Sequence, residues 1–299
     1  EVYNALYEID NKVMIYGEPW TGGTALTIDG STEAVSVDGK MGAGAFDDGF
    51  RNAIKGAEFG GFKAGHVQGT YQDEPIIAGL LGSSGPYADK ERNPYFQTKP
   101  GLTLHYVECH DNYTLYDKLA ISQFDFKNKD DAGLKNLWKA FDRLTDNQKA
   151  AVKAQNKLAA AFVFLAQGTP FINGGQEFMR DKEGDHNSYQ SSILINGIDL
   201  GYKETHMDVY NTYKGLIALR KANSTAFGGN TSAIAETVKT GVTKYTTGDF
   251  LVYFNATKTA ETIDTTGYTK VVDVTSGTPT ESTTLPTSVP AKGFVILKK

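Results

Sequence analysis

Three short apolar runs in this chain each break into a burst of polar residues: VMIYGEPW, TLHYVECHDN and PFINGGQEF. Runs of that length bounded by turn formers read as buried parallel strands, with the polar group falling at each C-terminal end. Segments of helical period lie around them. Residues 146–167, DNQKAAVKAQNKLAAAFVFLAQ, put Val152, Leu158, Phe162 and Leu165 on one face, and Gly168 with Thr-Pro supplies the stop. HMDVYNTYKGLIALRKAN gives a further helix with Val209, Tyr213 and Leu216 near one stripe. The opening EVYNALYEIDNK places Val2, Ala5, Leu6 and Ile9 on one helical face. Within the glycine-rich stretch 21–101, GAGAFDDGF and FRNAIKG read as a short strand and a helical turn.

Strands alternating with helices, their polar ends gathered on one side, is how a (β/α)8 barrel assembles a site. About four strand–helix units are countable, against the eight such a barrel needs. Four parallel strands with two bare edges would expose apolar surface. After Asn223 the pattern changes to the short alternating runs SAIAETVK, KYTTGDFLVYFNAT, KVVDVT and GFVILKK. The expected fold is therefore α/β: the second half of a (β/α)8 TIM barrel over residues 1–222, then a small all-β sandwich domain over 223–299.

Composition removes several functions. A net charge of −5 gives no reason to expect a nucleic-acid partner. No run of roughly 18 apolar residues is present to span a membrane. The single cysteine, Cys109, cannot form an internal disulfide. Neither GxGxxG nor GxxxxGK[ST] occurs, which argues against a phosphate cradle, and no GxSxG elbow is present. The chain opens on Glu-Val-Tyr, so the lack of a visible signal peptide carries no weight.

Three places carry candidate chemistry. Glu18 follows a strand beside Trp20, where an aromatic can stack on a sugar. A carboxyl partly desolvated there would hold its proton to higher pH, as a general acid requires. By spacing alone a surface glutamate is the commoner explanation. His110-Asp111-Asn112 at a second strand end can hydrogen-bond vicinal hydroxyls, and a carboxylate there can stabilise an oxocarbenium-like charge. No second histidine lies at metal-ligand spacing from His110. GGQEFMRDKEGDHNSY, 174–189, joins a glycine pair to a loop dense in Asp, Asn and His, for which a solvated charged loop is the plain alternative.

In this order, YGEPW, AFDDGFRNAIKG, YVECHDNYTLYDKL and FINGGQEFMRDKEGDHNSY resemble the second half of type I pullulanases in the α-amylase superfamily. The resemblance covers roughly residues 1–220 and implies retaining hydrolysis of α-1,6 branch linkages in pullulan, amylopectin and dextrins. It implies Glu18 as general acid/base, Asp111 as transition-state stabiliser, and His110 bonding the sugar beside it. Trp20, Asn112, Asp185 and Asn187 become substrate-binding candidates. The family's nucleophile is an aspartate in a GFRFD-like strand end; the nearest string here, GFRNA at 49–53, has Asn52 and Ala53 at those places and follows Glu18. The expected partners are an α-glucan and the other half of the barrel. No cofactor is required, calcium stays open, and an extracellular or cell-surface location is expected. A non-catalytic glucan-binding or structural fragment, or a related α-amylase or neopullulanase, is the rival expectation.

Overall fold

A computed structural model describes residues 2–11, 13–18, 43–59, 62–84, 100–123 and 144–299. Its first part is a four-stranded parallel sheet, β1 (Ile15–Gly17), β2 (Ala43–Phe46), β3 (Thr103–His105) and β4 (Thr169–Pro170), in that spatial order. The registers Gly17↔Ala45, Phe46↔Leu104 and His105↔Pro170 bring all four C-terminal ends to one side. The longer helices among the described residues are α1 (Val2–Ile9), α2 (Asp48–Lys55), α3 (Asp73–Leu80), α4 (Leu115–Ile121), α5 (Asp146–Leu165) and α6 (Met207–Ala222).

Alternation along the strands divides the sheet's two faces. Tyr16, Phe46, Tyr106 and Phe171, one from each strand or its exit, meet edge-to-face, with Phe46 5.0 Å from both Tyr106 and Phe171. His105 points the other way, against Phe50 of α2, and the Thr103 hydroxyl donates to the Gly82 carbonyl beyond α3. Two expectations change. β1 is parallel but not buried, since Met14 and Tyr16 are exposed and β1 pairs with β2 alone among the described strands. PFINGGQEF contributes only Pro170 to a strand, although the Phe171 amide still donates to the His105 carbonyl at 2.8 Å. The left-handed Gly175 (φ 97°) then turns the chain into a short 3-10 segment at Gln176–Phe178.

α5 begins in a capping box: Thr145 Oγ1 accepts from the Gln148 amide, and Gln148 Oε1 accepts from the Thr145 amide. Thr145→Ala is expected to cost about 0.5–2 kcal/mol, read as a lower urea midpoint with unchanged slope.

The second part is built from eight strands. They are β5 (Ile234–Lys239), β6 (Val242–Thr247), β7 (Phe250–Asn255), β8 (Glu261–Thr262), β9 (Lys270–Asp273), β10 (Thr280–Ser282), β11 (Ser288–Val289) and β12 (Gly293–Lys298). Six of them form an antiparallel sheet in the order β10-β9-β12-β7-β6-β5. The facing layer is a ribbon of the two short strands β8 and β11, which makes the sandwich lopsided. β7 is buried along its whole length because both faces are covered. Phe250, Val252 and Phe254 join the large core, while Leu251 and Tyr253 join Ile263, Val289 and Leu297 under the ribbon.

The two parts share one core. Phe162 of α5 stacks on Phe254 with ring centroids 4.4 Å apart. At Gly215 of α6 the backbone passes so close to Val274 that a Cβ would lie 2.0 Å from its carbonyl oxygen, so only glycine fits. Gln167, just after α5, is a buried hub. Its side-chain amide donates to the Ala226 carbonyl (2.7 Å) and the Tyr245 hydroxyl (2.5 Å) and accepts from the Gly229 and Asn230 amides (2.8 and 2.6 Å). Its own carbonyl faces His105 Nε2 at 2.6 Å.

Candidate functional site

Three of the parallel strands, β1, β2 and β3, end on one cleft of about 370 Å³. Glu18 enters it from the end of β1; Asp48 and Arg51 come from the start of α2, after β2. Tyr106, Cys109, Asp111 and Asn112 come from the loop after β3, and Phe46 and Phe59 supply apolar wall. Glu18 and Asp111, remote in sequence, are thus brought to one cavity, and Asn112 with them. Both carboxylate residues are exposed, as is His110. Trp20, expected beside Glu18, lies outside the described residues.

The Asp111 turn is held from several directions. Asn112 adopts a left-handed backbone (φ 61°), a conformation asparagine tolerates better than most residues. Asp111 Oδ1 accepts from Asn112 Nδ2 at 3.2 Å and from the Cys109 thiol at 3.1 Å. Burial, together with that carboxylate, pushes the thiol up to about 12, so it stays a protonated donor at ordinary pH. Behind the turn, Glu108 is buried and accepts from the Leu115 amide (2.8 Å) and Asn173 Nδ2 (3.1 Å), tying the exits of β3 and β4 together. Burial raises its carboxyl above the ordinary range against the pull of those donors and of Lys55. Lys55 in turn makes a buried ion pair with Glu58 (2.5 Å) and reaches the Tyr113 carbonyl (3.3 Å).

Asp48 and Arg51 form the cleft floor. Arg51 donates to Asp48 Oδ2 at 2.7 Å and to the Tyr106 hydroxyl at 2.5 Å, and the Tyr106 hydroxyl donates to Asp48 Oδ1. Burial raises the Asp48 carboxyl although Arg51 and Tyr106 oppose it. With both oxygens engaged, Asp48 is tied into the floor and is not a free carboxyl.

The loop 180–188 packs against this turn from the β4 side. Asp185 accepts from the Asn187 amide (3.0 Å) and the Ser191 hydroxyl (2.6 Å), and the His186 ring lies 5.4 Å from that of Tyr113. Asn187 is exposed and Asp185 half-buried, and neither lines the cleft that holds Glu18 and Asp111. Lys182, buried, donates from Nζ to the His110 carbonyl at 3.4 Å, and its amide donates to Asp117 Oδ2 at 2.9 Å. Among the described residues no cluster of three His, Cys, Asp or Glu side chains is placed to hold a metal ion. No helix there is long and apolar enough to cross a membrane.

Sequence reasoning passed over Asp48, Arg51, Tyr106 and the buried acids Glu108 and Asp117. The available signal was the charge inside otherwise apolar strings: FDDGFR for the first group, and YVEC and LYDKL for the acids.

The chain is 34% identical to a pullulanase of Bacillus subtilis strain 168 over 212 residues, which is 71% of this chain and 26% of that protein. The pullulanase from Bacillus acidopullulyticus matches at a TM-score of 0.79 and 26% identity, covering 100% of this chain and 35% of that one. A pullulanase from Paenibacillus barengoltzii, solved with maltohexaose and α-cyclodextrin, matches at 0.76 and 26% identity, covering 99% and 45%. This chain thus spans about a quarter of the curated relative's length. No protein-family model matches it.

Proposed function

We propose that this chain, pullulanase-like along its whole length, supplies part of the active site of a starch-debranching glycoside hydrolase that cleaves α-1,6-glucosidic linkages with retention. The observation that carries the reading is the convergence of Glu18, Asp111 and Asn112 on one cleft at the C-terminal ends of the parallel strands. That is the side on which a barrel of this kind does its chemistry.

In this reading Glu18 protonates the departing glycosidic oxygen and later deprotonates the attacking water. Its exposure lets a branched glucan reach it from solvent. The Asp111 carboxylate offsets positive charge developing at the anomeric carbon. Cys109 and Asn112 hold its Oδ1, which leaves Oδ2 to face the sugar. His110 and Asn112 bond hydroxyls of the ring at the cleavage point. Asp185 and Asn187, and Trp20 in the segment after Glu18, contact neighbouring sugars. Retention also needs a carboxylate nucleophile about 5–5.5 Å from the acid/base. Asp48 is committed to Arg51 and Tyr106, and no GFRFD-like string occurs, so the nucleophile belongs to a segment outside these 299 residues.

The purified 299-residue chain is accordingly expected to release no reducing ends from pullulan. Addition of a polypeptide carrying the complementary strands restores release, on pullulan and not on linear amylose. Turnover by the chain alone that Glu18→Gln abolishes would sink the claim of an external nucleophile.

A further inference from the structure

α4 begins directly after the Asp111 turn, and its first turn carries a fully buried acid, Asp117. This carboxylate does not cap the helix; the cap is Thr114, whose Oγ1 accepts from the Asp117 amide at 3.0 Å. Asp117 Oδ2 instead accepts from the Lys182 amide at 2.9 Å. Lys182 then returns across the gap, its Nζ donating to the His110 carbonyl. One carboxyl group therefore joins the helix that follows His110-Asp111-Asn112 to the loop that precedes Asp185 and Asn187.

We propose that Asp117 is a positioning residue, a clasp that makes the His110–Asn112 turn and the 180–188 loop move as one unit. Its role in glucan binding rests on the functional reading given above.

The clasp has a definite pH sense. Burial first, and then the neighbouring Asp181, push the Asp117 carboxyl up to about 7. Lys182 faces it as a cation, itself flanked by Glu108, Arg180 and Asp185; Asp181 is shared with Tyr202, Arg180 and Asp199; the Thr114 hydroxyl completes the surroundings. Opening the loop would admit water and remove Asp181, returning the carboxyl toward the ordinary value of about 4. The closed form thus binds the proton more tightly than the open form. Closure is fully favoured below about pH 4 and is progressively lost as pH rises to about 7, by up to tenfold per unit.

Amide hydrogen exchange on the intact protein, normalised for intrinsic rates, reads this directly. In the wild type, protection of the Lys182 amide is expected to fall at least about tenfold between pH 5 and pH 8, with segment 107–116 falling in parallel. Asp117→Asn, a neutral group of the same shape, should keep its protection flat over that range. Asp181→Asn, half-buried and easier to accommodate, should reduce the fall without touching the clasp itself. A fall that persists unchanged in Asp117→Asn and Asp181→Asn, or a wild type that shows none, overturns the proposal. So does loss of protection in 180–188 while 107–116 stays fixed. Maltotriose affinity on the same proteins should weaken with pH in the wild type and not in Asp117→Asn. Exchange that behaves as expected with no maltotriose binding at any pH overturns the glucan reading and leaves the clasp standing.

Discussion

Asp47→Ala is expected to destabilise the protein by about 3–5 kcal/mol, the range for breaking one side of a buried polar pair. Asp47 is fully buried between β2 and α2 and serves three partners at once. Its Oδ1 caps α2 through the Phe50 amide at 3.0 Å, its Oδ2 accepts from the Ser83 hydroxyl at 2.5 Å, and His105 Nδ1 lies 3.2 Å from Oδ2. His105 is likewise fully buried, and its other nitrogen faces the Gln167 carbonyl. Alanine would leave an imidazole, a hydroxyl and an amide without an acceptor in the dry layer between sheet and helices. Asp47→Asn keeps one acceptor for the helix cap and should lose less. Urea unfolding at pH 7 measures both. The pH dependence has a fixed sign. Burial alone would raise the Asp47 carboxyl, but the His105 contact, the Ser83 hydroxyl and the Phe50 amide together hold it below the ordinary range. A depressed carboxyl stabilises the fold above the unfolded value of about 4 and loses that contribution as pH falls through the folded value. The difference between wild type and Asp47→Ala should therefore shrink in acid. A constant difference from pH 7 to pH 3 would contradict the charge-based account.

The second large effect is on rate. In a polypeptide that includes the nucleophile, Glu18→Gln is expected to lower kcat on pullulan about 10²–10⁴-fold, the usual contribution of one positioned acid/base. Asp111→Asn should fall in the same range, with the double substitution little worse than the poorer single one, because in the proposed mechanism the two groups serve one transition state. Neither change should alter the urea midpoint much, since both side chains are exposed. Asn112→Ala should differ in kind. It removes a donor to Asp111 and a side chain suited to the left-handed turn, so KM should rise together with the loss in kcat. Glu18→Gln activity within about threefold of wild type would remove Glu18 from the mechanism.

The chain's strand ends were legible because short apolar runs stopped by polar residues need no knowledge of the rest of the fold. β2 and β3 appear where GAGAF and TLH lead the eye, and α5 where its stripe of Val152, Leu158, Phe162 and Leu165 lies. The convergence of Glu18 and Asp111 followed from topology, once the strands were taken as parallel neighbours. What local pattern could not supply was burial of charge. Glu108 and Asp111 stand three places apart in YVECHDN, yet one is sealed behind the loop and the other faces the cleft. That distinction is made by Asn173, Lys55 and the loop at 180, which arrive from elsewhere in the chain. β1 misled for the same reason: its apolar residues suit burial, but only a neighbour on its far side could provide it.

Gln167 has a consequence for how such chains diversify. Its amide is saturated by groups on the far side of residue 223, and Phe162 and Gly215 are shaped to surfaces there as well. A recombination breakpoint placed at the end of α6 would pair these residues with a foreign sheet, leaving a buried amide unanswered and a glycine facing a gap. Exchange of the C-terminal sheet would need compensating changes at 162, 167 and 215, so three positions make the first part specific for the sheet it carries.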